Sequence, residues 1–591
     1  MDDLVRRGWG FLRKAKIGRA LEILLKESEK TAERRTTILY GREVFVLKGK
    51  LRCYLATALA AALMFSAVPS GFAMAEETNS ASTFIDDCTS LNKTASHSNN
   101  LQVFSNHPES GLSVISKTDH EEGWVRYAPQ GMIATALELK FQAATGFFSL
   151  TGSVRVEVKT ADNGSYTAVT LTQTGSQTLN ATFQQITATA ALPANVVDVR
   201  ITLIGINWTV MLDQATLTLG VNSRVAFYQN LIQQESAWLL TLQLENGAIG
   251  MTNDTSLRKI NPYFAEITCL ALLDSGSVYA PQVKNYMDWH FAHLNTAATD
   301  RSGVDGTIYD YLITAGANNT VVSETVSTDS QGVKQYDSTD SYAALFLSVL
   351  WRYYEETGNA SYLTSHASDI GRIVGVIFAT MYNGLTQATP DHNVQYLMDN
   401  AEVYEGLGSA AKIYEQVLIP FYAAGTNERT AAEAKLSQIT SGRSQIASKV
   451  ESVLWKESGG YYVSSCTYSL FPAAFSWSQF YPSATCQAFA ITCGLIPADG
   501  ERAKRIWNNF NSYWSTGQSD HSWESLDIPD TFYWGVLPYA AALVGDVGRV
   551  NMYMNAYAAG PGATHAYPLY NADCAQAVRA AHVMLAYYNA A

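Results

Sequence analysis

The sequence predicts two architectures in succession: an antiparallel β sandwich, then an all-α ring of twelve helices. Three observations predict them. Apolar and polar residues alternate with period two through residues 83–220. From 221 to 591 the apolar period becomes 3.6. Within that second stretch, short and long connections alternate, which makes helix hairpins and brings every long loop to one end.

Before the β domain lies a segment that reads as targeting sequence. Residues 48–52 are basic, 53–68 (CYLATALAAALMFSAV) are apolar, and Ala73-Met74-Ala75 has the small-x-small form of a cleavage site. Residues 46–75 are therefore expected to be a signal peptide, with export from a bacterial cell to the medium or cell surface. The apolar run is short for a membrane span, which leaves an anchor as the weaker reading. Residues 1–45 are polar and precede the basic region, so translation is expected to start near Val46 or Leu47.

Residues 1–75 hold 14 Lys+Arg against 7 Asp+Glu, and the rest of the chain holds 26 against 46. A net charge of −20 disfavours nucleic acid and acidic polymers as partners. No other apolar run reaches membrane length. The six cysteines after residue 75 include no CxxC pair, so neither a zinc ribbon nor a redox motif is expected, and the thiols read as core residues.

The β domain is rich in Val, Thr and Ile between Gly, Asn and Asp turns, as in FSLTGSVRVEVKTADNGSYTAVTLTQT. Its length and position resemble the jelly-roll carbohydrate-binding modules that flank secreted glycosidases. Trp124, Tyr127 and Trp208 are candidates for stacking on a sugar ring, or for the core. A docking or structural role stays open beside sugar binding. No ligand cluster argues for calcium here, and no metal or organic cofactor is expected anywhere in the chain.

The helices are expected at 222–243, 263–273, 279–294, 341–357, 361–382, 400–418, 428–456, 484–495, 501–514, 533–545, 547–558 and 573–589. The even-numbered ones are the more apolar and small-residue-rich (EITCLALL, AALFLSVL, CAQAVRAAHVML) and should form an inner ring. The loops ahead of them are long, acidic and aromatic. In DSTDSYAALFL, Asp337 and Asp340 open the fourth helix; in LMDNAEVYEGL, Asp399 and Glu402 open the sixth. A helix N-terminus tolerates such anions.

Twelve helices in two rings, with acidic and aromatic loops at one end, resemble the (α/α)6 barrel of the six-hairpin glycosidases. The resemblance covers residues 221–591. The segment Asp337-Ser-Thr-Asp340 is similar in placement to the aspartate-rich segment of family 8 glycoside hydrolases. That family's glutamate motif has no clear counterpart near Glu245, so the resemblance implies the superfamily and leaves the family unassigned. It implies a hydrolase of a poly- or oligosaccharide, with an acid and a base flanking the glycosidic oxygen and inversion at the anomeric carbon.

On that expectation, Asp340 is one essential carboxylate, as base or water-positioner. Its partner is Glu402 or Asp399, with Asp337 and Asp530 behind. Tyr263, Tyr309, Trp477, Tyr481, Trp523, Glu524, Trp534 and His565 are expected to contact substrate. Simpler readings stand beside these. Asp399 and Glu402 have capping-box spacing, Asp340 is a candidate N-cap, and the aromatic clusters suit loop cores. His290 and His293 read as a surface pair. A polysaccharide lyase on the same barrel is the alternative enzyme, though arginine is scarce in the loops. A glycan-binding protein without catalysis is the non-enzyme alternative.

Overall fold

The computed structural model describes residues 82–590, except 89, 105–110, 115–120, 130–131, 144–152, 161–162, 175–183, 205–209 and 519. The expected N-terminal extension (1–45), the signal peptide (46–75) and Trp208 lie outside the described residues.

Among the described residues, eleven strands make up the β domain, all paired antiparallel. Its longest strand, β10 (Gln184–Ile204), changes partners along its length. Its first half pairs with β6 (Met132–Ala143) and β9 (Leu171–Thr174). Its second half pairs with β5 (Glu122–Tyr127) and β7 (Val154–Thr160). The register shifts between Ala191 and Val196, where Asn195 adopts a positive φ. Alternate residues of these strands, among them Leu137, Leu139, Val156, Val158, Val199 and Ile201, form one apolar cluster, as period two requires. Tyr127 belongs to that core and donates to Asp86 Oδ2 at 2.9 Å, so it offers no sugar platform.

Twelve principal helices follow. They are α1 (Ser223–Thr241), α2 (Pro262–Asp274), α3 (Ala280–Ala292), α4 (Thr339–Thr357), α5 (Ala367–Thr380) and α6 (Leu397–Ile413). Then come α7 (Asn427–Lys449), α8 (Cys486–Thr492), α9 (Glu501–Trp514), α10 (Val536–Val544), α11 (Val547–Ala559) and α12 (Asn571–Ala590). Each even-numbered helix packs on the next, and α12 packs on α2, so the six close into a ring. The odd-numbered helices lie against its outside: α1 on α12, α3 on α2 and α4, α5 on α4, α7 on α6, α9 on α8 and α10, α11 on α10.

Composition explains which helix goes where. In α2, residues Phe264 to Leu273 are buried without interruption, because the helix has neighbours on every side. In α9 only one stripe is buried: Ala503, Ile506, Trp507, Phe510, Asn511 and Trp514, at helical spacing. The inner helices approach closely where small residues allow it. A Cβ added at Gly406 of α6 would stand 2.4 Å from the Ala344 carbonyl oxygen of α4. The six described cysteines are free, five of them buried. His290 is also buried, stacked on Phe346 at 3.6 Å and facing Glu266; it is no surface residue, because α3 turns this face toward α2 and α4. Among the described residues no helix is long and apolar enough to cross a membrane.

Gly406→Ala is expected to cost at least about 2 kcal/mol, because the obstacle is backbone that cannot step aside. Urea unfolding measures this; unchanged stability would mean that α4 and α6 do not meet as described.

Candidate active site

The long connections 242–261, 293–338, 381–396, 450–485, 515–535 and 560–570 all precede inner helices, so six helix N-termini surround one end of the ring axis. Cross-links between these ends fix their mutual positions. Asn261 caps α2 through Phe264 N–H and donates to the Tyr342 hydroxyl of α4 at 2.9 Å. Tyr263 of α2 donates to Glu402 Oε1 of α6 at 2.5 Å. Gly535 N–H, ahead of α10, donates to Asp573 of α12 at 3.1 Å.

The starts of α4 and α6 carry the acidic cluster. Helix α4 begins at Thr339, with Ser338 in the N-cap position, so Asp340 lies inside the first turn and is fully buried. Ser338 Oγ lies 2.8 Å from Asp340 Oδ1 and 3.3 Å from Asp399 Oδ2, so one hydroxyl spans both carboxyls. Asp340 Oδ2 is buried without a hydrogen-bond partner. Helix α6 begins at Leu397, which sets Asp399 in its first turn and Glu402 one turn deeper. Neither makes a cap contact; Glu402 is buried under Tyr263. Asp337 and Asp399 are partly exposed. The four carboxyls thus form two layers, Asp337 and Asp399 toward the opening and Asp340 and Glu402 behind.

A further carboxyl, Asp310, stands just before β13 (Tyr311–Ala315), which pairs with β12 (Leu257–Ile260) and β14 (Val321–Val326). That sheet puts Lys259 at 3.6 Å from Asp310. The Tyr342 hydroxyl donates to Asp310 at 2.8 Å and accepts from Asp337 N–H at 3.1 Å.

Crowding and burial move every proton in this cluster the same way. Burial raises Asp337 to about 7, with Asp310 adding and Lys259 opposing. Burial raises Glu402 to about 8, partly offset by the Tyr263 hydrogen bond. Asp399 is held well above the usual carboxylate range by burial, then by Asp340, Glu402 and Asp337. Asp340 is also raised by burial, against Thr386 first and then its hydrogen bonds from Ser338 and Ser341 N–H. The cluster therefore holds both protonated and ionised carboxyls near neutral pH, which acid–base chemistry needs.

The aromatic residues divide. Tyr481 lies near Tyr396, Asp337, Asp399 and Asp530, and its ring meets Trp534 at 5.4 Å. Trp534 takes a left-handed φ of 51°, a cost that buried surroundings must sustain. Trp477 is a partly buried rim residue stacked on Tyr513. Four other expected contact residues are engaged by partners within the chain. Trp523 is buried and donates to Asn511. Glu524 accepts from Ser515 and from Thr516 N–H, which lower it despite burial. The Tyr309 hydroxyl receives Arg301 N–H, and its ring stacks on Tyr336. His565 pairs with Glu235 and stacks on Trp238, between α1 and the start of α12. Loop aromatics of this kind fold inward to anchor their own loops. Asp530 accepts from Thr531 N–H and shapes its own turn. Asp310, a carboxyl of the same acidic loop, Ser338 and Tyr342 complete the site; the Ser before a helix-opening Asp was the one local signal for Ser338.

No family model matches this chain, and no curated protein matches it. Among solved structures it is similar to a glycosidase at 12% identity, over 63% of this chain and 99% of that one, with a TM-score of 0.42. A rhamnosidase from Klebsiella oxytoca with rhamnose bound is 10% identical over 86% of this chain and 96% of that one, TM-score 0.38. An alpha-amylase from Clostridium perfringens is 9% identical over 60% and 97%, TM-score 0.39. At these values the function has to be read from the geometry.

Glu402 makes the cluster's effect on stability measurable. Its unfolded value is about 4.3 and its folded value about 8. Between the two, the folded state keeps a proton that the unfolded state releases, so this group's contribution falls as pH rises from about 4.3 to about 8. Glu402→Gln lacks that loss. Its melting temperature relative to the parent is expected to rise steadily from pH 5 to pH 8; a constant difference would show that Glu402 ionises normally.

Proposed function

We propose that this protein is a glycoside hydrolase acting on a poly- or oligosaccharide. The observation that carries the reading is the two-layered carboxyl cluster at the N-termini of α4 and α6, beside Tyr481 and Trp534. On this reading the closed ring of helices is an (α/α)6 toroid, the β domain is a jelly-roll module, and residues 46–75 direct export.

The partly exposed layer supplies the reacting groups. Asp399, kept protonated by the carboxyls around it, gives its proton to the glycosidic oxygen as the bond to the anomeric carbon breaks. Asp337 is ionised above about 7 and takes a proton from the water that attacks that carbon. Asp340, fully buried, acts through Ser338 on the position of Asp399. Glu402 stands behind as a further proton holder. The ring face of Tyr481, backed by the buried Trp534, suits the C–H groups of a sugar. Attack by water opposite the leaving group gives inversion.

A lyase would need a cation to hold a uronate carboxylate. Lys259, a cation beside this cluster, is already turned to Asp310, and Arg579 is turned to Asp274. That supports the hydrolase over the lyase.

The first test is release of reducing ends from a panel of neutral and acidic polysaccharides, with absorbance near that of an unsaturated uronate followed in parallel; cleavage accompanied by that absorbance would overturn hydrolysis. Asp399→Asn is expected to lower kcat by about a thousandfold. Asp337→Ala should regain part of its lost rate with added azide, releasing a glycosyl azide. The acid limb of kcat/KM is expected near 7 and should move to lower pH in Asp310→Asn, because that change removes the like charge next to Asp337. An unmoved limb would take Asp337 out of the base role.

A further inference from the structure

Below the acidic cluster the inner helices leave a cavity of about 20 Å³ on the ring axis, room for one water. Its polar lining comes from α6, from α12 and from the end of α8, where Thr492 and Cys493 reach it. Glu402 and Glu405 are three apart on α6 and share a face; Gln576 and Arg579 are three apart on α12 and face them. Arg579 is committed elsewhere, donating to Asp274 at 3.0 Å with its guanidinium 4.6 Å from the centre of the Tyr539 ring. Gln576 Oε1 is buried without a hydrogen-bond partner. An unpaired buried acceptor of this kind costs about 1–3 kcal/mol unless a donor reaches it. A water here would have that acceptor, two carboxyls and a guanidinium within its surroundings, the two to four partners that hold internal waters in place.

We infer that this cavity is an internal water site, and that Glu405 is a positioning residue which acts through the water on the protonation of Glu402 and so on the charge presented to Asp399. The inference rests on the proposed role of Asp399 for its link to catalysis, but the water site and the coupling of the two glutamates do not need it. The groups facing Glu402 are Tyr263 and Glu266 of α2, Asp340 of α4, Asp399 and Glu405 of its own helix, Cys493 after α8 and, across the cavity, Arg579 of α12. Those facing Glu405 are Asp274 of α2, Cys493, Lys412 of its own helix, Arg579 of α12 and Tyr539 of α10. Of these, Glu405 is the carboxyl that shares both the helix face and the cavity with Glu402, so its charge reaches Glu402 through the water-sized gap. Loss of that charge lets Glu402 release its proton more easily.

The experiment is an infrared titration of the buried carboxylic-acid band, assigned to Glu402 by its loss in Glu402→Gln. In Glu405→Gln the band should disappear at a pH lower by about half a unit or more, while Glu405→Asp, which keeps the charge, should stay near the parent. Gln576→Leu, which fills the cavity and removes the acceptor, should shift the band too. A crystal structure should show one ordered water between Glu402, Glu405 and Gln576. With substrate, Glu405→Gln should move the basic limb of kcat/KM to higher pH, because Glu402 then ionises earlier and its charge holds the proton on Asp399, and leave KM alone. An unmoved band in Glu405→Gln, or an empty cavity, would overturn the inference. A moved band in a protein that cleaves no sugar would uphold the water site and remove the hydrolase reading instead.

Discussion

The interaction on which the site depends is the sharing of one hydroxyl, Ser338 Oγ, between two carboxyls from different helices. Two like charges so close cannot both persist away from water, so the Asp340–Asp399 pair must keep a proton. This condition is met because the carboxyls sit at the N-termini of α4 and α6, where the helix dipoles favour negative charge, and because neutral tyrosines surround them. Tyr263, Tyr342 and Tyr481 are all held un-ionised by burial and by the same carboxyls.

The ring makes that sharing possible. α4 and α6 are neighbours in extensive contact, and Gly406 against the Ala344 backbone lets them approach closely. The alternation of short and long connections turns every inner helix the same way, so six N-termini meet at one end. Fully apolar inner helices such as α2 pay nothing for enclosure, whereas amphipathic ones such as α9 must keep a face in water and so stay outside.

Cluster membership was legible where it was local. Asp337 and Asp340 opening one helix, and Asp399 and Glu402 opening the next inner one, could be read from spacing alone, and the structure brings all four together. Their layering was not legible. Whether a carboxyl in the first turn of a helix faces the opening or the axis depends on where the helix starts, and α4 starts at Thr339 and α6 at Leu397, ahead of the expected 341 and 400. The aromatic residues were the least legible. Trp523, Tyr309 and His565 have the same composition and loop setting as Tyr481 and Trp534, yet each is drawn into a loop anchor by a partner distant in sequence or unremarkable within it: Asn511, Arg301 and Glu235.

By itself the sequence determined the change from period two to period 3.6, the twelve principal helices, the inner and outer sets and the end of the ring that gathers acid. Those follow from side-chain periodicity and chain length, which are local quantities. Only the tertiary structure decided which carboxyls share Ser338, which face outward, which tyrosines cover them and where the axis keeps room for a water. Each of those depends on distances between residues tens to hundreds of positions apart. Burial and like-charge repulsion, which set the protons in this site, have no value until those distances exist.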